Sequence, residues 1–238
     1  NFDSYYVGAY LDTKFYLLQD QHQQVWLEYQ LLARDYPQEQ DVSFLDNNIS
    51  IAARQPILET MDFEVRGSWE EAFLRDTGHF RTQKSIGPAL MIQALRDLQI
   101  RICGDWTSAS YYDSVPNPQN RDGSIARAGV TLAIGIGTGW MIGPYGSYTR
   151  TNTTGEDYDA RGWNIGVQVN SPELAGFKLQ ISLSYGVERF ENENSLTGFT
   201  KKRVDHPLGM NVVITFKQVE KWLGYAPTLA VGYVRHTS

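Results

Sequence analysis

The chain has 238 residues and a formal net charge of −6 at pH 7. This acidic balance argues against a nucleic-acid partner, because phosphate backbones attract basic surfaces. No stretch approaches the roughly 18 consecutive apolar residues of a transmembrane helix, and the single cysteine, Cys103, excludes an internal disulfide.

Apolar and polar residues alternate with a period of two along about twelve segments, which predicts strands between two unlike environments. Most segments exceed the roughly five or six residues of an ordinary globular strand, and each could supply the about 9 to 11 residues that cross a bilayer. The predicted strands, in chain order, are 4–17, 23–35, 41–54, 61–74, 80–95, 98–112, 123–136, 140–151, 159–170, 177–191, 203–217 and 225–236.

The strand at 177–191 shows the alternation most clearly. Ile181 and Leu183 take the apolar phase, whereas Gln180 and Ser182 take the polar phase. Aromatic residues form 13% of the chain and recur near strand ends, as in the interface girdles of membrane barrels. We therefore predict an all-β fold: an antiparallel transmembrane β-barrel in the outer membrane of a Gram-negative bacterium, in contact with outer-membrane lipid.

The two phases of the strands divide the candidate residues into two sets. A barrel of this size encloses a lumen too wide for side chains alone to fill, so the apolar phase is expected to face outward. The residues predicted to face lipid are Phe63, Val65, Ile100, Ile102, Trp163, Ile165, Val167, Leu179, Ile181, Leu183, Val212, Ile214, Leu229 and Val231. The residues predicted to line the lumen are Asp12, Lys14, Glu28, Asp62, Glu64, Arg66, Glu70, Arg101, Asp105, Arg127, Gln168, Lys178, Gln180 and Glu188.

The charged members of the lumen set have two interpretations. They could line a channel or hold a plug, or they could form cross-strand ion pairs that stabilise the wall. Their mixed signs do not suggest a filter for one charge. We favour the ladder of ion pairs.

No catalytic or metal-binding motif is evident, so the sequence predicts neither an enzyme nor a cofactor or metal site. The four histidines lack the spacing of a metal pair. Ser184 and His206 lie on adjacent predicted strands but on opposite phases, and no nucleophile-elbow motif is present.

The connections alternate between short turns and longer polar loops, the latter at 114–121, 153–157 and 192–202. Outer-membrane barrels have short periplasmic turns and long extracellular loops. This rule places both Asn1 and Ser238 on the extracellular side. We therefore expect residues 1–238 to form one barrel domain that lacks a strand at each end, fourteen strands in the intact protein, and an upstream periplasmic segment.

The last third of the chain resembles a known family. The relevant stretches are Leu174–Phe177, Phe199–Asp205, Leu223–Leu229 and Gly232–Ser238. They are similar to the C-terminal β-barrel of surface lipoprotein assembly modifiers and related tetratricopeptide-repeat outer-membrane proteins. The resemblance implies a periplasmic helical-repeat domain in the same polypeptide, a barrel of about fourteen strands, and a translocated protein or polymer as partner.

Two classes of function compete on this basis. The first is translocation or surface assembly (secretion) of a protein or polymer substrate, which the resemblance favours. The second is a diffusion porin for small solutes, and a structural outer-membrane anchor for a larger assembly is a third alternative. The connection at 192–202 is short for the inward-folded loop that narrows many porins, so we prefer the first class.

Overall fold

The computed structural model describes residues 2–20, 22–36, 43–112, 119–193, 195, 198, 200–219 and 227–237. Most of them lie in strands. In chain order these are β1 (Phe2–Gln19), β2 (Gln24–Asp35), β3 (Phe44–Leu58), β4 (Met61–Leu74), β5 (Gly78–Leu95), β6 (Leu98–Tyr111), β7 (Gly123–Ile136), β8 (Trp140–Thr153), β9 (Ala160–Asn170), β10 (Phe177–Glu193), β11 (Lys202–Phe216) and β12 (Thr228–Thr237). Within the described ranges, no helix is long and apolar enough to cross a membrane.

The strands form one closed antiparallel barrel. Each strand pairs with its neighbour in sequence, and β1 completes the wall by pairing with β12. Val7 lies opposite Val231 and Phe2 opposite His236, so the expected opening for two further strands is absent here. Hydrogen bonding explains this closure, because an unpaired strand edge leaves a row of backbone groups without partners. Additional strands in the intact protein stay a prediction.

The predicted strands are all present, with bounds that agree within about four residues. Positions 41, 42, 225 and 226, also predicted as strand, lie outside the described residues. Register shifts occur near the ends of strands, for example between Pro56 and Leu58 and between Gln93 and Leu95. Such bulges bend a strand locally and are common at barrel rims.

Ion pairs identify which phase faces the lumen. Arg66 on β4 reaches Glu28 on β2, and Arg101 on β6 reaches Glu64 on β4. Contacts between strands two positions apart require the concave side of the wall. The polar phase therefore faces inward, and its cross-strand neighbours share that face.

The opposite phase carries large apolar side chains on the convex side, where none of the described residues covers them. Among the residues predicted to face lipid, the exposed ones are Phe63, Val65, Ile102, Trp163, Ile165, Ile181, Leu183, Leu229 and Val231. Those that are half-buried by their neighbours on the same face are Ile100, Val167, Leu179, Val212 and Ile214. A continuous apolar exterior of this kind requires a hydrocarbon solvent.

The two rims of the barrel differ in their connections. One rim carries mostly short turns, such as 59–60, 96–97 and 137–139, and the strands are joined at the other rim by longer connections, at 36–43, 112–122 and 154–159. Two connections depart from this division: 75–77 is short on the long-loop rim, and 217–227 is longer on the short-turn rim. The short-turn rim corresponds to the periplasmic side and the long-loop rim to the extracellular side.

Local geometry explains two of the short turns. In the β7–β8 turn, Gly137 and Gly139 have φ of 55° and 93°, values that side chains disfavour. In the β1–β2 turn, Asp20 accepts hydrogen bonds from the backbone N–H groups of His22 and Gln23, each at 2.7 Å. These two bonds lower the pKa of the exposed Asp20 carboxyl below its ordinary value.

Candidate functional site: the barrel lumen

Glu64 is the centre of the most connected group of charges in the lumen. Its buried carboxylate lies 3.3 Å from an Arg101 guanidinium nitrogen and 3.7 Å from Nε of Arg66. Arg66 also reaches Glu28 Oε2 at 3.1 Å, and the same oxygen accepts a hydrogen bond from Trp26 Nε1 at 3.4 Å. Two carboxylates and two guanidinium groups thus neutralise one another along β2, β4 and β6.

These ion pairs span an intervening strand because that strand carries small lumen-facing residues. Ala52 on β3 lies between Trp26 and Arg66 in the register, and it is only 1% exposed. Ala89 on β5 occupies the same position between Glu64 and Cys103, and it is also buried. A larger side chain at Ala52 would separate Arg66 from Glu28, and a larger side chain at Ala89 would separate Arg101 from Glu64.

A second group of charges continues the network toward the long-loop rim. Arg81 on β5 forms an ion pair with Glu70 on β4, and its guanidinium also lies 4.0 Å from Asp46 on β3. Nearer the short-turn rim, Arg54 pairs with Asp62. Between these groups lies a polar cavity of about 520 Å³, whose wall includes residues from β4 to β7.

The other half of the lumen wall is almost free of charge between its rims. Cross-strand rows on β8 to β12 join Ser147 to Asn164, Gln168 to Ser182, and Ser182 to Asn211. The lumen-facing positions of these strands that are glycine or a neutral polar residue include Gly143, Ser147, Thr149, Gly162, Asn164, Gly166, Gln168, Asn170, Gln180, Ser182, Ser184, Gly209, Asn211 and Gly232. The lumen therefore has one wall of paired charges and one wall of neutral polar groups.

A third cluster lies at the long-loop rim. Arg203 donates from Nε to Asp205 at 2.8 Å, and Glu188 lies opposite Asp205 in the register. Asp157, in the 3-10 turn Glu156–Tyr158, is 1% exposed and accepts a hydrogen bond from the backbone N–H of Ser195 at 3.1 Å. The contact between Asp157 and Ser195 fastens the loop after β8 to the residues that follow β10. A cavity of about 250 Å³ lies between this cluster and β6 and β7.

The residues predicted to line the lumen share the inward phase, but only some of them form ion pairs. Glu28, Asp62, Glu64, Arg66, Glu70 and Arg101 belong to the networks above. The others have different neighbours. The ammonium group of Lys14 lies 3.8 Å from the centre of the Trp26 ring, and the Gln168 side chain donates a hydrogen bond to Asn170. The remaining residues are described by the residue opposite them on the next strand: Asp105 faces Arg127, Lys178 faces Thr215, Gln180 faces Val213, and Asp12 faces Gln30.

Three network members, Asp46, Arg54 and Arg81, were not among the predicted lumen residues. Their phase in the alternating pattern would have placed them inward, since Arg54 lies opposite Glu64 and Arg81 opposite Ala72. The register shift between Ala72 and Phe73 lies on the rim side of Arg81, so Arg81 keeps the inward phase of Gln83 and Ser85.

Ser184 and His206 lie on opposite faces of the wall. Ser184 faces the lumen beside Gly209. His206 is on the outer face, where its Nδ1 lies 3.0 Å from the Tyr185 hydroxyl. Within the described residues, no cluster of His, Cys, Asp and Glu could hold a metal ion.

Several solved barrels are similar in outline but remote in sequence. The NanC porin has a TM-score of 0.49 at 7% identity, over 95% of this chain and 98% of that one. The KdgM porin, in complex with disordered oligogalacturonate, has a TM-score of 0.43 at 8% identity, over 98% and 99%. A bacterial polysaccharide outer membrane secretin has a TM-score of 0.44 at 7% identity, over 100% and 99%.

A search of curated proteins gives no match. The family model described as surface lipoprotein assembly modifier matches residues 9–238. The match extends far beyond the C-terminal stretches that carry the resemblance in the sequence, and it includes all twelve strands at least in part. The chain therefore belongs to the surface lipoprotein assembly modifier family, and it is a β-barrel of the bacterial outer membrane.

Proposed function

We propose that this barrel acts in the translocation or surface assembly of a lipoprotein, or of a related protein or polymer substrate. The observation that carries the proposal is the extent of the family match, which covers the barrel wall from residue 9 to residue 238. The wall itself is thus the part of the protein that the family shares. A periplasmic helical-repeat domain in the same polypeptide remains part of this proposal.

The chemistry of the lumen is compatible with a polypeptide passing through it. Charges on β2 to β6 are already neutralised by one another, so they offer little net attraction to a passing chain. The facing wall of glycine, serine and asparagine offers weak hydrogen bonds to any sequence. Passage requires binding that is weak at each point, because a tight site would stop the substrate.

A diffusion porin for small solutes is the second candidate. The cavity of about 520 Å³ beside the charged wall is polar and large enough for a small hydrophilic molecule. Under this alternative the neutral wall would act as the open side of a solute channel. A structural anchor for a larger assembly would use neither wall of the lumen.

The first experiment compares two adjacent positions on opposite faces of β10. Ser182→Trp, combined with Ser147→Trp, would introduce bulk into the neutral wall, whereas Leu183→Trp changes only the outer face. In cells that make a surface lipoprotein substrate, we expect the lumen variant to reduce protease-accessible lipoprotein at the surface, because two tryptophan side chains narrow the passage. Leu183→Trp should have no effect, because Trp is tolerated on a membrane-facing surface.

Both variants must first reach the outer membrane at wild-type levels, as judged by heat-modifiable gel mobility. Undiminished surface lipoprotein with the lumen variant would contradict passage through the barrel. A large, steady and weakly selective current in planar bilayers, together with normal lipoprotein exposure in cells lacking the protein, would instead support the porin.

A further inference from the structure

Three arginines form a row across the outer face of the barrel. Arg150 on β8 lies directly opposite Arg161 on β9, and Arg161 lies directly opposite Arg189 on β10. Their phase is that of Trp163 and Ile165, which are exposed on the convex side. All three arginines are themselves exposed. The row is therefore accessible from the membrane and not from the lumen.

No carboxylate neutralises this row within the described residues. None of the three arginines forms an ion pair there, and the polar contact of Arg150 is a long hydrogen bond from Nε to Asn152 at 3.3 Å. Glu191 follows Arg189 by two residues, but it is not paired with it. Like charges directly opposite each other destabilise a sheet, so two consecutive arginine pairs are unfavourable unless an anion lies between them.

An aromatic band marks the depth of the row in the membrane. Tyr148 lies opposite Trp163 in the register, and the Trp163 and Tyr185 rings pack edge to face at 5.8 Å between centroids. Tyr148 is 50% exposed, Trp163 is 42% exposed and Tyr185 is 39% exposed. Such rings lie at the boundary of hydrocarbon and headgroups.

The arginines lie beyond this aromatic band, closer to the long-loop rim. On each of β8 and β9, the arginine lies two positions along the strand from the aromatic residue, which corresponds to about 7 Å. This distance places the guanidinium groups at the level of lipid headgroups. Because the long-loop rim corresponds to the extracellular side, the headgroups are those of the outer leaflet.

We propose that Arg150, Arg161 and Arg189 bind the phosphate groups of the phosphorylated glycolipid, lipopolysaccharide, in the outer leaflet of the membrane. Guanidinium groups bind phosphate oxygens in a bidentate manner, and a row of three matches a lipid that carries more than one phosphate. The acyl chains of the bound lipid would lie over Trp163 and Ile165. This lipid site is separate from the lumen and independent of the proposed translocation.

The experiment measures binding of purified lipopolysaccharide to the protein in detergent, by native mass spectrometry and by thermal unfolding. The variant is Arg150→Gln/Arg161→Gln/Arg189→Gln. The matched control is Arg96→Gln, an exposed arginine in a turn at the opposite rim. We expect the triple variant to bind at least about tenfold more weakly, because it loses several charge-assisted hydrogen bonds. Arg96→Gln should bind like the wild type.

A second measurement separates lost binding from lost folding. Without lipid, the triple variant should unfold at the same temperature as the wild type or higher, because two like-charge pairs are removed. Added lipopolysaccharide should raise the unfolding temperature of the wild type but not of the variant. Dephosphorylated lipopolysaccharide, phosphatidylglycerol and inorganic phosphate should each produce a much smaller shift.

Three results would overturn the proposal. Equal lipopolysaccharide binding by the wild type and the triple variant would show that the three arginines do not bind the lipid. An equal loss of binding with Arg96→Gln would show that the total charge of the protein, and not the position of the arginines, determines binding. Equal stabilisation by phosphatidylglycerol or by inorganic phosphate would show a general anion surface instead of a glycolipid site.

Discussion

Glu64 pairs with two arginines in the lumen, and its surroundings explain why its charge matters. Its side chain is 6% exposed, whereas those of Arg66 and Arg101 are 36% and 43% exposed. The carboxylate is thus removed from water while its partners remain partly solvated. The buried carboxylate needs its arginine partners to offset the loss of hydration, whereas the partly solvated arginines need the carboxylate less.

Replacing Glu64 by Gln should therefore lower the free energy of unfolding by about 2 kcal/mol. Two guanidinium groups lose their shared anion, and partial exposure of the arginines limits the cost. Denaturant unfolding in detergent, followed by tryptophan fluorescence, measures the change.

The matched control is Arg75→Gln. Arg75 forms a 3.8 Å ion pair with Asp35 in which both side chains are 59% exposed. This change should cost less than about 0.5 kcal/mol. A cost for Glu64→Gln no larger than that of the control would contradict a structural role for the lumen network.

The alternating pattern predicts which face of the wall each lumen residue occupies, but it does not predict the residue with which it forms an ion pair. Period two places Glu28, Glu64 and Arg66 inward. The pairs that form across an intervening strand depend on the curvature of the wall and on small residues such as Ala52 and Ala89. Neither curvature nor register between distant strands can be inferred from spacing along one strand.

Lumen tyrosines cover glycines on the neighbouring strand at two places in the wall. Tyr145 on β8 lies opposite Gly166 on β9, and Tyr6 on β1 lies opposite Gly232 on β12. A Cβ atom at Gly166 would overlap the Tyr145 ring and lie 2.6 Å from the Leu183 carbonyl oxygen. The ring shields a strand segment that would otherwise lack side-chain packing.

Gly166→Ala should consequently destabilise the barrel by about 1–3 kcal/mol, because the tyrosine ring must leave its position. Gly67→Ala on β4 serves as the control, since the nearest atom to its Cβ would be the Ser85 carbonyl oxygen at 3.8 Å. The control should be neutral or slightly stabilising. Unfolding midpoints in denaturant compare the two, and equal midpoints would count against close packing at Gly166.

The strand positions could be predicted from the sequence because most segments are long and alternate clearly between apolar and polar residues. Met61–Leu74 and Gly123–Ile136 begin and end where the pattern predicts. The arginine row was not predicted, because Arg150, Arg161 and Arg189 stand at equivalent heights only after three strands are aligned. Side chains from separate strands become neighbours through register, which a single sequence does not display.

Closure by β1 and β12 is the feature of the whole barrel that differs most from the sequence-based expectation. The connections predicted two further strands, whereas these residues already form a complete hydrogen-bonded ring. The ring leaves no edge exposed to lipid, where an unpaired backbone group would be costly. Pairing between β1 and β12 thus closes the wall that the described residues form.

A disulfide can test this closure directly. Val7→Cys and Val231→Cys lie directly opposite each other on β1 and β12, and Cys103→Ser removes the native thiol. We expect oxidation to link the two cysteines in the 238-residue chain. The control places cysteines at Val7 and Leu183, on strands that do not pair, and should stay reduced. Failure of the first pair to link, in a correctly inserted barrel, would contradict the observed seam.

The same cross-link applied to a longer form of the protein would count strands. If further strands lie between β1 and β12, the cysteines at positions 7 and 231 will be too far apart to react. If the ring is the same in both forms, they will link equally well. Non-reducing gel mobility distinguishes the two outcomes.

The paired charges of the lumen have an electrical consequence. Inward-facing acids and bases on β1 to β7 are equal in number: Asp12, Glu28, Asp46, Asp62, Glu64, Glu70 and Asp105 against Lys14, Arg34, Arg54, Arg66, Arg81, Arg101 and Arg127. Their long-range potentials cancel, so the interior neither concentrates nor repels ions of one sign. Entry into the barrel should then vary little with ionic strength, and selection among molecules would depend on their shape.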